Sequence, residues 1–261
     1  MLYLNNLLVK QEDKYALNFN GVNQYLQSQT TAQGGKDFVQ WDRQQPFTFF
    51  LDITLDNTIF SNYFFSTQDD TNVGIAIGYS SSGGIAFLIR NSNLGLEFII
   101  PLLQSGRYII QVVYTGNSDA NSISSYIDNT LSTNTILKNN ISGSIINNSN
   151  SFTLGRLRPS VPIHFDGILN RLSFVNYAKT SAELTEDFNN KKQSKGTGEW
   201  LLAPIEPIYT DEGNKQIKSL ATTDINNPLP NATAFTNEQG YKLNLINYPN
   251  QLVKGVDLIK L

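Results

Sequence analysis

The stretch Phe47–Leu55, FTFFLDITL, restricts what this chain can fold into more than any other. Phe47, Phe49, Leu51, Ile53 and Leu55 share one face of an extended segment, and Thr48, Phe50, Asp52 and Thr54 share the other. Successive side chains point to opposite sides only in a β-strand, so the first set packs inward. The second set leaves a mixed polar and aromatic surface on the other side. An apolar sheet face of this kind needs a second layer to cover it.

Comparable runs recur through the first two thirds of the chain. They predict strands at Tyr15–Phe19, Tyr25–Gln27, Asn62–Ser66, Gly74–Tyr79, Gly84–Ile89, Leu96–Ile100, Gly106–Thr115, Ser122–Ile127, Ser151–Leu154 and Gly167–Asn176. Clusters of Gly, Asn, Asp and Ser separate them, a spacing that favours a sandwich or jelly roll over a βαβ sheet. Charged residues make up only 16 % of the 261, so Asn, Ser, Thr and Gln must supply the polar surface.

One helix is predicted, Ser181–Lys192, with Thr180 as N-cap and Glu183 completing a capping box. Leu184 and Phe188, four apart, form its apolar stripe, and the helix is expected to plug the sandwich. Beyond Lys192 the periodicity stops and prolines gather. The chain therefore divides into an N-terminal arm (1–14), a jelly-roll domain (15–192) and a C-terminal extension (193–261) for anchoring or subunit contact. The expected fold class is all-β: a two-sheet antiparallel jelly-roll sandwich with one short closing helix and an extended C-terminal arm.

The order of signals from about residue 15 to 190 resembles the laminin G-like, concanavalin A-like jelly-roll family in its bacterial and phage versions. Ala16-Leu17-Asn18-Phe19-Asn20-Gly21 followed by Gln24-Tyr25-Leu26 is similar to that family's opening strand pair. Pro46–Leu51 is similar to its long strand, Gly106–Tyr114 to the strand that usually carries Trp-His, and Ser125–Asn129 to its "YvDG" turn. Leu154-Gly155, Phe165-Asp166-Gly167 and Ser181–Leu184 match its close. Arg107-Tyr108 departs from Trp-His, and Leu169-Asn170-Arg171 departs from Ile-Asp-Glu, which removes an acid near where relatives often hold calcium.

The resemblance implies carbohydrate binding as the commonest role. Sugars offer an apolar ring face and a rim of hydroxyls, so aromatic and amide side chains are the candidates: Trp41, Phe50, Tyr63, Tyr79 and Asn91. A structural calcium ion is the one cofactor considered, with Asn117, Asp119 and Asn121 as alternating oxygen ligands and Asp69-Asp70-Thr71-Asn72 as a second acidic loop. Asn and Asp fill hairpin turns for backbone reasons as well.

Catalysis is disfavoured. Hydrolases of this fold carry a strand motif with three alternating acids, and the nearest imitation, Asp52-Ile53-Thr54-Leu55-Asp56, has Thr at the centre. His164 is the only histidine, and no nucleophile elbow accompanies it. With no cysteine there is neither a disulfide framework nor a thiolate metal site. A net charge of −3 without a basic cluster argues against nucleic acid, and no apolar run is long enough to span a bilayer.

The expected function is a non-enzymatic structural and adhesion protein of a phage-like virion, made in the host cytoplasm without a signal peptide. Its partners would be other virion or surface proteins, met through the C-terminal arm in an oligomeric assembly, and cell-surface glycans. The alternatives are a free-standing bacterial carbohydrate-binding module, at the cell surface or secreted, and a divergent glycoside hydrolase using Asp52 and Asp56.

Overall fold

Both faces of Phe47–Leu55 are covered, and the fold is built outward from that strand. The computed structural model describes residues 15–33, 38, 41–56, 62–102, 104–146 and 151–190, together with short strands between 199 and 260. In chain order the strands are β1 (Tyr15–Asn20), β2 (Tyr25–Ser28), β3 (Phe47–Leu55), β4 (Asn62–Ser66), β5 (Val73–Ser80), β6 (Gly84–Asn91) and β7 (Leu94–Pro101). Next come β8 (Gly106–Tyr114), β9 (Ile123–Ile127), β10 (Thr130–Ser132), β11 (Thr135–Asn139), β12 (Thr153–Leu154), β13 (Arg156–Arg158), β14 (Val161–His164) and β15 (Asp166–Val175). After helix α1 (Ser181–Asn190) follow β16 (Glu199–Leu202), β17 (Ile205–Tyr209), β18 (Lys215–Ser219), β19 (Ala234–Thr236), β20 (Lys242–Ile246) and β21 (Leu258–Lys260).

The first sheet runs β10-β9-β8-β3-β15-β1-β17-β18, and the second runs β11-β7-β6-β5-β4-β12-β2-β20-β19. All the pairings in them are antiparallel, which makes the fold the all-β sandwich expected. The strands after residue 198 extend both sheets: β21 pairs β1 (Tyr15 opposite Lys260), β16 pairs β15, and β20 pairs β2 (Leu26 opposite Leu245). The residues of the proposed N-terminal arm lie outside those described.

The inward face of β3 (Phe47, Phe49, Leu51, Ile53, Leu55) is wholly buried. It meets Phe87, Phe98, Ile77 and Phe65 of the second sheet in one continuous core. Aromatic edges interlock there: Phe49 lies 5.5 Å from Phe87 in a T-shaped pair and 5.0 Å from Phe174. Such pairs add to the burial of area itself.

The capping box forms as predicted. Glu183 Oε2 accepts from the Thr180 backbone N–H at 2.9 Å, and the Glu183 N–H donates to Thr180 Oγ1 at 3.4 Å. The helix does not plug the sandwich, however; it lies over the outer face of the first sheet, where the Gln111 side-chain amide donates to the Leu184 carbonyl at 2.8 Å. Its buried stripe is Leu184 and Asp187, with Phe188 only half-buried, because Asp187 pairs with buried Lys179 at 2.5 Å. An ion pair occupies the place the apolar pattern had assigned to an aromatic ring.

A two-stranded hairpin, β13–β14, stands apart from both sheets. Its apolar residues Leu157, Val161 and Ile163 pack on Ala76, Ala86, Leu88, Ile99 and Tyr63 of the second sheet. This second, smaller apolar cluster covers part of that sheet's outer face.

Candidate functional site

Where the hairpin meets the β4–β5 turn, a groove of about 180 Å³ opens. Gln27, Ser66 and Thr153 form its floor, level with one another across β2, β12 and β4. Leu157, Arg158 and Pro159 form one wall, and Gln68, Asp69 and Asp70 the other.

The β4–β5 turn is shaped by its own side chains. Asp69 Oδ1 accepts from the backbone N–H groups of Thr71 (2.9 Å) and Val73 (3.1 Å) and from the Thr71 hydroxyl (2.6 Å). Asn72 takes a left-handed conformation (φ 65°), which Asn tolerates better than most residues. Asp70 Oδ1 accepts from the Ser160 N–H at 3.0 Å and so ties this turn to the tip of the hairpin. Those bonds to Ser160, helped by the cationic Arg158 and Arg156, hold the Asp70 carboxyl below its ordinary pKa. Two loops far apart in sequence are thereby fixed against each other.

Inside this frame, two side chains are left unmatched. Gln68 is held by its backbone N–H on Ser66 Oγ (3.0 Å) and is 6 % exposed, yet neither Oε1 nor Nε2 has a hydrogen-bond partner. Arg158 Nε and Nη1 are also buried and unpartnered. Buried polar groups are nearly always satisfied, so two such side chains among the residues of one groove are conspicuous. Neighbouring Arg156 also has a buried Nε without a partner, while its Nη2 donates to the Pro159 carbonyl at 2.8 Å and its guanidinium lies 4.8 Å over the Tyr25 ring.

None of the five residues expected to bind sugar lines this groove. Trp41 is buried, edge-on to Phe47 at 4.7 Å and donating from Nε1 to the Pro46 carbonyl. Tyr79 lies in the main core, and Phe50 is 2 % exposed on the outer face of the first sheet. These three are corrected from binding to packing residues, since a covered ring has no face to offer a sugar. Tyr63 is half-buried beside the hairpin, and burial raises its pKa. Asn91 donates to the Ser142 carbonyl at 2.9 Å.

The proposed calcium ligands form a turn. Asp119 Oδ1 accepts from the Asn121 N–H (2.9 Å), Asn121 Nδ2 (2.8 Å) and Asn139 Nδ2 (2.8 Å), while Asn117 Oδ1 accepts from the Asp119 N–H (3.0 Å). Asp119 thus caps the short 3-10 turn Ala120–Ser122. Among the described residues no three His, Cys, Asp or Glu side chains gather as metal ligands. In the second acidic loop, the Asp69 and Asp70 oxygens organise the groove's wall.

The Asp52/Asp56 pair is not brought together. Four residues of extended strand separate the two by about 13 Å, well beyond the roughly 5–9.5 Å that glycoside hydrolysis requires. Asp52 is completely buried and taken up by Arg107 (two bonds of 2.9 Å) and Asn170 Nδ2 (2.9 Å). Its bond to Asp52 raises the Arg107 pKa, so the guanidinium remains a fixed cation. Asp56 is exposed at the strand's end. The pair has no shared substrate position.

No family model matches the sequence, and no curated protein matches it. Among solved structures, a candidate carbohydrate-binding protein of Bacteroides ovatus ATCC 8483 is similar over 96 % of this chain at 14 % identity, with a TM-score of 0.52. The chain spans 60 % of that protein's length. The carbohydrate-binding module CBM40 of a Ruminococcus gnavus IT-sialidase is similar over 55 % of this chain and 82 % of its own, at 13 % identity and a TM-score of 0.43. The binding domain of a botulinum neurotoxin DC, in complex with rat synaptotagmin II, is similar over 56 % of this chain and 36 % of its own (13 % identity, TM-score 0.41). The first of these likenesses supports the β-sandwich fold.

Proposed function

We propose that the protein is a non-catalytic recognition module whose ligand is a glycan. The observation that carries this reading is the groove between the β4–β5 turn and the hairpin. Its walls are fixed by Asp69 and Asp70, and polar side chains, Gln27, Ser66, Thr153 and Arg158 among them, line it. Of the two carboxylates nearest to a catalytic pattern, Asp52 is spent on structure. The neighbours described as carbohydrate-binding fit the reading, and we assign the chain to the laminin G-like, concanavalin A-like group on the sequence signals given above.

The finer assignment we propose is a structural and adhesion component of a phage-like virion. Its support is the end strands of the two sheets, β10 and β11, where Leu131 (65 % exposed) and Leu137 (56 % exposed) stand in solvent. Apolar side chains at a sheet edge suit packing against other subunits. Incubation with a polysaccharide panel, followed by binding and product assays, tests the module. Retention of a glycan without turnover is expected, and turnover abolished by Asp52→Asn would overturn the reading. Co-sedimentation with particles from the native source tests the finer assignment; a protein found only free would overturn it.

A further inference from the structure

We infer that residues 130–139, which run along the open side of the sandwich, form a two-fold contact with a second copy of this chain. This gives the subunit contact proposed above its partner, and it rests on that reading of β10 and β11. Among the described residues, β10 pairs with β9 alone at the end of the first sheet, and β11 with β7 alone at the end of the second. Only Thr133 and Asn134 lie between the two strands, so both open edges belong to one continuous run. That run is pinned to the body beneath it. Asn134 Nδ2 donates to the Ile123 carbonyl at 3.1 Å, while Asn139 Nδ2 donates to Asp119 Oδ1 at 2.8 Å and Asn139 Oδ1 accepts from the Ala120 N–H at 2.9 Å. A surface held in this way loses little freedom on docking. Of the six large apolar side chains that stand exposed among the described residues, Leu131 (65 %), Ile136 (40 %) and Leu137 (56 %) all fall on it.

Charge and register select the occupant. Lys138 is the one charged residue of the run, and its ammonium is turned back onto Glu97 Oε1 (3.0 Å) and the Asn93 carbonyl (3.1 Å). An edge lysine that points into solvent keeps other chains away; this one is engaged within its own sheet. A strongly charged partner finds little to read here. A peptide adding as a further strand is also disfavoured, because the bulge between Ile136 and Lys138 leaves Leu137 with no residue opposite it on β7 and breaks the ladder. A second copy fits. Two such runs laid antiparallel about an axis near Thr133 and Asn134 bring Leu131 of each copy against Ile136 and Leu137 of the other, as a self-complementary contact requires. The same axis brings Lys138 of one copy opposite Asn129 of the other, beside Asp128, so opposite charges meet at both ends. Residues 128–138 span at most about 33 Å, and one strand's width of that length is a small interface, so the association should depend on concentration.

The test is sedimentation velocity of the full chain across a dilution series, comparing wild type with Leu131→Lys, Leu137→Glu and the double variant. Wild type is expected to pass from monomer to dimer as concentration rises. Each single substitution puts an unpaired charge into the contact and should raise the dimer dissociation constant about tenfold or more. In the double variant the new ammonium of one copy meets the new carboxylate of the other across the axis, so the dimer should return. Both positions are exposed, so each variant should keep the wild-type far-UV spectrum, which separates a lost contact from a lost fold. A wild type that stays monomeric at every concentration would overturn the two-fold contact; its co-sedimentation with particles would then leave the subunit reading standing with a different partner. A dimer undisturbed by either single substitution, or a double variant no better than the singles, would likewise overturn it. A dimer never found on particles would support the contact and sink the virion assignment instead.

Discussion

Replacing Lys179 by Met tests how the helix is held to the sheet. The Lys179 ammonium lies 2.5 Å from Asp187 Oδ2, and the two side chains are 0 % and 1 % exposed. The segment leading into the helix is also pinned: the Thr48 hydroxyl donates to the Tyr177 carbonyl at 2.9 Å and accepts from the Lys179 N–H at 3.0 Å. Met keeps much of the stem's bulk and leaves a buried carboxylate without its cation. Removing one partner of a buried pair costs about 3–5 kcal/mol. At about 2–4 °C per kcal/mol for a domain of this size, Tm should fall by roughly 6–20 °C. Urea titration should show a lower midpoint at unchanged slope. The double variant Lys179→Met/Asp187→Leu should recover most of the loss, because an apolar pair of similar volume escapes the desolvation cost. A single variant that loses less than about 1 kcal/mol, or a double variant no better than the single, would refute this account of the interface.

Three further outcomes are expected. Phe49→Ala should cost about 3–5 kcal/mol in chemical denaturation, since Phe49 is 0 % exposed and its ring meets Phe47, Phe65, Phe87 and Phe174. Burial, then the hydrogen bond to Glu183 and the charges of Glu183 and Asp187, push the Tyr177 pKa up to about 12. The neutral phenol's contribution to stability is therefore complete below the ordinary value near 10 and is lost as pH climbs toward 12, so Tyr177→Phe should flatten an alkaline unfolding curve in that window. Burial alone would raise the Glu97 pKa, but its bonds to Arg90 and Lys138 together hold it below the ordinary 4.5. Its contribution is present above 4.5 and fades as pH falls through the lower folded value, so Glu97→Gln should remove part of the acid sensitivity.

The strands that alternate strictly were legible in sequence, because period-two patterning survives wherever a face is buried. Phe47–Leu55 was placed to the residue. The hairpin β13–β14 was missed, since its Arg, Pro and Ser residues read as a loop; the alternation of Leu157, Val161 and Ile163 was its only trace. That omission hid the groove, as half of its wall comes from the hairpin. Gln68 carries no pattern at all: one amide becomes notable only when burial and partners are known. The aromatic candidates went astray for a related reason. A mixed polar and aromatic outer face suggested open display, but α1 meets the first sheet at Gln111, and Phe50 opposite Gln111 is 2 % exposed.

The position of β1 shapes how the molecule can be assembled during synthesis. Its flanks are β15 and, beyond it on the same side, β17, with β21 on the other side, all strands made long after it. A nascent chain must therefore keep this early strand open until the segment reaching Lys260 has left the ribosome. Pairings between residues so far apart in sequence close slowly, and unpaired edges invite misassociation in the interval. A pause or a chaperone acting once β21 is made would guard the step at which it joins β1.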